Sequence, residues 1–528
     1  MSREVLSHGR RVIAAIALIT CSLGAAGAHA QQVPVPPASP GTGVEEAIPS
    51  VPDGGAPNDA SVNSTVARSA TERSDGSVDA DAEATAATEA VPTAPTAADA
   101  IGDLRARSRP VAFWQRALSF GGIFVLLFLA WTLSLDRKRF PWRIALWGVG
   151  LQLLFAVLVL KTTPGMKLFS WLNTGVVRLL EFTDAGSRFV FGSAVDEGFS
   201  IALNVLPTVL FFSSLMAVAY HLGLVQRIVY GIAWLMRRTM KTTGPETLSA
   251  AANIFVGQTE APLVIKPYVA SMSLSELNAV MVGGFATVAG GVLAGYVDML
   301  RGDLPDIAGH LIAASVLSAP AALVVAKIMV PETKARSEDE VPTFKAEAID
   351  ANVIDAAARG AGEGLKLALN VGAMLLAFVA LVAMVNALIG VPVELVNGLA
   401  GTSFEPWTLE SILGTVFTPI AFVMGVATED CGTVGALLGE KLVVTEFVAY
   451  GHLAEMLREG ADLQYRSVVI ATYALCGFAN FGSIAIQIGG IGAIAPERRS
   501  DLARLGLRAM LGGAIAACMT ATVAGILL

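Results

Sequence analysis

Residues 246–275 read ETLSAAANIFVGQTEAPLVIKPYVASMSLS, an apolar stretch broken in mid-course by Gly257-Gln258-Thr259-Glu260 and again by Pro262, Lys266 and Pro267. No continuous helix passes through it, because the prolines remove backbone donors and the glycine loosens the chain. Irregular backbone among apolar neighbours is tolerated at membrane depth only where protein or a water-filled cavity surrounds it. The stretch therefore reads as a re-entrant hairpin. A second one is expected where the run 411–428 enters and the chain returns near 455, carrying Thr445-Glu446-Phe447-Val448-Ala449-Tyr450.

The rest of the chain supplies the bilayer setting. Of 528 residues 54% are hydrophobic and only 15% charged, and the mean hydropathy is +0.63. A soluble enzyme is excluded on that composition, and a nucleic-acid binder would need a basic face that is missing. Long uncharged runs cover 117–135, 144–160, 199–226, 277–297, 307–326, 367–393, 411–428, 467–496 and 509–528. Each is close to the length of a spanning helix or exceeds it. Short basic loops set the orientation: Arg137, Lys138, Arg139 and Arg143, then Arg227, Arg237, Arg238 and Lys241, then Lys327, Lys334 and Arg336, then Arg498, Arg499, Arg504 and Arg508 face the cytoplasm. Nine full spans would leave Arg498 and Arg499 outside; eight spans with two hairpins obey the rule. The fold expected is an all-α integral membrane protein with eight transmembrane helices, two re-entrant hairpins and an inverted repeat, over residues 109–528.

The first 108 residues differ. Arg3, Arg10 and Arg11 precede the apolar run Val12–Leu23, and Ala28-His29-Ala30 follows, the layout of a signal peptide over residues 1–30. Residues 31–100 carry eleven acids, two arginines and no Phe, Trp, Tyr or Leu. Residues 31–108 are expected to be a disordered, acidic, Pro/Ala-rich periplasmic arm. An exported N-terminus places the C-terminus outside as well, with the protein in a bacterial-type inner membrane.

The two halves echo each other: Thr259-Glu260 is followed by Gly284-Phe285-Ala286-Thr287, and Thr445-Glu446 by Gly477-Phe478-Ala479-Asn480. Two interrupted segments in matching places point to a transporter site between them. No phosphate-binding glycine loop, metal motif or nucleophile–base set occurs, which argues against an ATP-driven pump or an enzyme. The chemistry rests on carboxylates and amides at membrane depth, where a charge needs a partner or water. Gln258, Thr259 and Glu260 combine amide, hydroxyl and carboxylate, a set that suits a flat polar ring such as a nucleobase. Glu446, Asn480 and Ser483 suit a polyhydroxylated ring. Asn253, Thr287 and the carbonyls of unwound helix ends offer neutral oxygens for a monovalent cation, so Na⁺ coupling is favoured, with H⁺ on Glu260 or Glu446 as the rival. Lys266 or Lys441 could instead pair with the carboxylates. Glu429-Asp430 is expected to cap a helix N-terminus.

At these residues the chain resembles the concentrative nucleoside transporter family, from about Pro141-Trp142-Arg143 to the C-terminus. The motifs that carry the likeness are Leu248-Ser249-Ala250-Ala251-Ala252-Asn253 leading into GQTEAP, then GGFATVAGG, EFVAY, and Cys476-Gly477-Phe478-Ala479-Asn480-Phe481-Gly482-Ser483. The resemblance implies a homotrimer, interfacial helices beside the spans and hairpins, and Na⁺- or H⁺-driven nucleoside uptake by an elevator-like movement. Carried over by motif, it puts Val292 with Gln258, Thr259 and Glu260 on the base, and Glu446, Asn480 and Ser483 on the ribose. Phe478 would line the pocket, and Asn253 and Thr287 with the carbonyls of Val256 and Val288 would hold Na⁺. The chain departs from the pattern at Thr445, where Asn often stands, and at Ala427-Thr428, where Pro-Trp is frequent. Readings of another class are a cation-independent pore or transporter for another polar solute, and a non-transporting nutrient receptor.

Overall fold

The computed structural model describes residues 113–195, 200–333, 350–401, 403 and 406–528. The signal peptide and the acidic arm lie outside the described residues. Every regular element within them is helical, and seven helical stretches are long and apolar enough to cross a membrane.

Two helices, α1 (Phe113–Thr132) and α2 (Trp142–Lys161), precede the long α3 (Thr163–Phe191). A π-turn at Ile201–Val205 leads into α4 (Leu206–His221). Helix α5 (Leu224–Met240) buries Val225, Val229, Ala233, Met236 and Met240, a 3.6-residue stripe, and leaves Arg227, Arg237 and Arg238 off it. Left-handed Gly223 and Lys241 bound it.

Helix α6 (Gly244–Ala252) is buried along its whole length, and Glu246 accepts from the Thr243 N–H at 2.9 Å to secure its first turn. It stops at Asn253. The chain then unwinds to Glu260, makes a 3₁₀ turn at Ala261–Ile265 started by Pro262, and closes with α7 (Lys266–Val269). A capping box between Ser273 and Glu276 starts α8 (Leu274–Ala286). Extended residues 287–289 separate it from α9 (Gly290–Leu300), and α10 (Ile307–Met329) follows.

The same order then recurs. Helix α11 (Val353–Ala400) is long and apolar, α12 (Leu409–Met424) short, and α13 (Cys431–Val443) and α14 (Glu446–Arg458) meet at a two-residue break. Helices α15 (Tyr465–Leu475) and α16 (Phe481–Ile494) are again separated by an irregular step, and α17 (Arg499–Leu527) ends the chain. One expectation is corrected here. The run 411–428 does not lead directly to the break at Glu446: it forms α12, which packs tightly on α13 through Gly414, Gly435 and Gly439, and the helices that meet at Glu446 are α13 and α14. Apolarity marked α12 as buried in something, which says nothing about where the chain reverses. The run 467–496 is likewise two helices, α15 and α16.

The core lies around α8, α9 and α10, whose most apolar stretches are 89% buried, whereas that of α11 is 6% buried. Gly360 and Gly364 let α11 press on Leu210, Ser213 and Ala217 of α4. A buried ion pair joins Lys327 of α10 to Glu246 of α6 at 2.6 Å, and Lys327 also donates to Ser275 of α8 at 3.0 Å. These contacts fasten the first broken segment to the core.

Candidate functional site

The two broken helices touch at their breaks. Gly477 adopts φ 155°, and a Cβ there would sit 2.8 Å from the carbonyl oxygen of Phe285, so this close approach needs glycine. The Phe478 N–H donates to the Thr287 carbonyl at 3.3 Å. The two Gly-Phe-Ala motifs that echo in the sequence are therefore packed against one another.

Asn480 starts α16 as its N-cap, its Oδ1 accepting from the Ser483 N–H at 2.8 Å. That bond turns its amide nitrogen outward, where it donates to Glu446 Oε2 at 2.9 Å. The other carboxylate oxygen of Glu446 accepts from the Tyr296 hydroxyl at 2.9 Å. Tyr296 is fixed by stacking on Tyr450 (4.3 Å between centroids) and by the edge of Phe447. Glu446 itself is held at the first position of α14, where the helix dipole favours an anion, and Thr445 caps that helix through the Val448 N–H. Lys441 does not pair with Glu446; its ammonium donates to the Ala474 carbonyl at 2.8 Å.

From Ser483 the polar chain crosses to the other half. Gln258 Nε2 donates to Ser483 Oγ at 3.2 Å, and Gln487 Nε2 donates to Gln258 Oε1 at 3.0 Å. Glu446, Asn480, Ser483, Gln258 and Gln487 are all buried. Sets named from opposite halves of the sequence thus share one hydrogen-bond network. Thr259 is half-buried against Gly490 of α16, and Val292 is buried on α9, one turn from Tyr296. Phe478 is half-buried between the breaks. Glu260 stands apart: it is exposed, and its carboxylate folds back to accept from the Gly257 N–H.

Asn253, the residue at the end of α6, is fully buried. Its Nδ2 donates to the Ser249 carbonyl at 3.1 Å, while its Oδ1 finds no donor among the described residues. Thr287 Oγ donates to the Gly283 carbonyl at 2.9 Å, and a Cβ on Gly283 would lie 3.1 Å from Asn253 Nδ2, so both side chains meet at one turn of α8. The Gly290 N–H donates to the Phe255 carbonyl at 3.2 Å, drawing the stretch that contains Val256 to the one that contains Val288. A buried acceptor without a donor beside unwound carbonyls is a setting that suits a monovalent cation.

Glu429 and Asp430 precede α13 as expected, but their carboxylates do not cap it. Asp430 accepts from the Gln464 N–H at 3.1 Å and Glu429 from its side-chain amide, so the pair ties down the start of α15. Sequence patterning does not single out two of the contributors, Tyr296 and Gln487. Each is a lone polar group inside an apolar run. Gln487 lies four residues after Ser483, on the same face of a helix, and that spacing was the available signal.

Interlocked broken helices enclosing a buried polar network, within apolar helices, define a multi-pass membrane protein of the transporter class. Comparison with known proteins narrows this. The family descriptions "Na+ dependent nucleoside transporter N-terminus", "Nucleoside recognition" and "Na+ dependent nucleoside transporter C-terminus" match residues 121–194, 202–302 and 310–525. The structure of CNTnw in an inward-facing substrate-bound state is 43% identical, with a TM-score of 0.71, over 78% of this chain and 97% of that one. The chain belongs to the concentrative nucleoside transporter family, whose members are transporters; it is not an enzyme. Similar relatives include sodium/nucleoside cotransporter 1 of Mus musculus, 43% identical over 428 residues, and solute carrier family 28 member 3 of Eptatretus stoutii, 42% identical over 426. Each match covers 78% of this chain, and the chain spans 64% and 61% of the length of those two relatives.

Proposed function

We infer that the protein takes up nucleosides by Na⁺-coupled symport across a bacterial-type inner membrane. The observation that carries this reading is the buried chain Tyr296–Glu446–Asn480–Ser483–Gln258, which joins a carboxylate and two amides in one continuous run of hydrogen bonds. Two lone-pair positions of the Glu446 carboxylate are taken by Tyr296 and Asn480, which leaves two for the vicinal hydroxyls of a ribose. Gln258 and Thr259, with Val292 as an apolar wall, receive the base, and Glu260 reaches it from the exposed side of the break. Phe478 closes the pocket between them. Na⁺ is a co-substrate held by Asn253, Thr287 and the carbonyls of Val256 and Val288. The names of the relatives and the family descriptions specify sodium, which supports Na⁺ over H⁺.

On this reading the chain makes eight spans and two re-entrant hairpins, α6–α7 and α13–α14, with α3, α5 and α12 along the interfaces. Helices α6 to α10 and α13 to α17 form the moving body of an elevator, fastened by the Lys327–Glu246 pair and the interlocked breaks. Helices α4 and α11 form the fixed wall, and the exposed apolar face of α11 suits a homotrimer. The arm and the C-terminus are periplasmic. Purified protein in liposomes tests the conclusion directly. Uridine should accumulate against its gradient with external Na⁺ and should not when K⁺ replaces it at fixed pH. Uptake indifferent to the cation would instead make the protein a passive route, and failure of nucleosides to compete would point to another polar solute.

A further inference from the structure

Helix α16 presents Ser483, Gln487 and Gly490 on one face, at the i, i+4, i+7 spacing, and that face lies against Gln258 and Thr259. Ser483 bonds Gln258, and Gly490 makes room for Thr259, since a Cβ there would come within 2.7 Å of the threonine methyl. Gln487 sits between them, fully buried, and its Nε2 has two acceptors: the Met281 carbonyl at 3.1 Å and Gln258 Oε1 at 3.0 Å. A backbone carbonyl only accepts, so Met281 fixes which end of the Gln487 amide is nitrogen. Gln487 Oε1 has no partner among the described residues, so turning the amide over would set an oxygen against two oxygens. The consequence passes on one step. With the Gln487 nitrogen on its oxygen, Gln258 is obliged to present Nε2 toward Ser483 and the break, with one N–H on Ser483 and the second unspent.

We propose that Gln487 is a positioning residue that fixes which hydrogen-bonding edge Gln258 shows to the base, and so biases the choice between bases that offer a carbonyl and bases that offer an amino group. The inference rests on the reading that Gln258 faces the base. Gly284 belongs to the same device, because a Cβ there would meet Gln487 Nε2 at 2.7 Å and Gln258 Cβ at 2.9 Å. Only a residue without a side chain lets the two amides lie together over α8.

Gln487→Glu removes the nitrogen. In this buried place the new carboxyl keeps its proton and gives it to the Met281 carbonyl, so the Gln258 amide turns over to donate to that carboxyl oxygen, and the Gln258 oxygen faces the base. Gln487→Met keeps the shape but holds neither orientation. Initial uptake rates into liposomes under an inward Na⁺ gradient are measured for uridine against cytidine and inosine against adenosine, pairs that differ by carbonyl or amino group. Gln258→Ala is measured alongside, and each variant is checked for monodispersity. The carbonyl-to-amino ratio of kcat/KM should fall roughly tenfold in Gln487→Glu, the scale of one hydrogen bond lost on one ligand and gained on its rival. In Gln487→Met it should move toward one. If Gln258→Ala shifts the ratios while the folded Gln487 variants stay within twofold of wild type, Gln487 positions nothing and the proposal falls, with the base reading intact. If Gln258→Ala leaves the ratios unchanged, the base reading falls and takes the proposal with it. Where Gln487→Glu does not yield folded protein, Gln487→Met alone decides.

Discussion

Glu446→Gln isolates what the carboxylate does for a sugar. The substitution leaves the local network largely intact, for a reason the geometry supplies. Asn480 cannot turn its amide over, because its oxygen is held by the Ser483 N–H at 2.8 Å. Its nitrogen therefore keeps facing residue 446, and the new glutamine must put its oxygen there. The glutamine nitrogen then faces Tyr296, whose hydroxyl rotates from donor to acceptor. What changes is the supply of acceptors. A carboxylate has about four lone-pair positions, of which two remain for ligand; the amide oxygen has about two, of which one remains, and it carries no charge. Hydrogen bonds to a charged group contribute about 1.5–3 kcal/mol against about 0.5–1.5 for neutral ones. Losing one and weakening the other costs about 3 kcal/mol, a fall of about 100-fold in kcat/KM for uridine. The control is 2′,3′-dideoxyuridine, which lacks both hydroxyls: its rate should fall less than about threefold. Uptake by proteoliposomes of both ligands into wild type and variant completes the cycle. Equal falls for the two ligands would refute the assignment, since the carboxylate would then act on something both share.

Asn253→Ala removes the orphaned acceptor at the end of α6; the Na⁺ concentration for half-maximal uptake should rise about tenfold, while the uridine KM at saturating Na⁺ stays within about twofold, as read from uptake titrated in both ligands. Lys327→Met strands the buried Glu246 carboxylate and should destabilise the protein by about 3–5 kcal/mol; adding Glu246→Gln should restore more than half of the lost melting temperature in detergent, and no restoration would mean the pair is not the cause. Gly477→Ala forces a side chain into a positive φ and against the Phe285 carbonyl, at a cost of about 2 kcal/mol or more, seen as a lower melting temperature; an unchanged melt would mean the breaks do not interlock as described.

Much of this was legible in the chain itself, and the limits are instructive. Glycine, proline and acid inside an apolar stretch are costly at depth, so 253–262 announced itself as irregular, and Glu446, Asn480 and Ser483 could be named as partners because few polar groups occur nearby. The direction of the chain was harder to see. Helix α12 is as apolar as a spanning helix, and nothing in hydropathy separates a helix that packs along α13 from one limb of a hairpin. Tyr296 and Gln487 escaped for a related reason. Hydropathy averages over a window, and a single phenol or amide among ten aliphatic residues leaves almost no trace, although it is satisfied polar contact that makes such a residue tolerable in the interior. Adjacency in sequence groups Glu260 with Gln258, but an unwound segment does not keep neighbours on one side.

The hydrogen bond from the Phe478 N–H to the Thr287 carbonyl has a bearing on thermodynamic accounting between ligands. On the proposed function Thr287 belongs to the cation's seat and Phe478 to the nucleoside's, so each ligand, on arrival, would steady a peptide group that the other requires. Affinities joined in this way must change by the same factor in both directions: however many-fold sodium tightens uridine, uridine must tighten sodium equally. Leakage of either species alone is then discouraged by the architecture of one peptide-to-peptide contact, without any gate dedicated to that purpose.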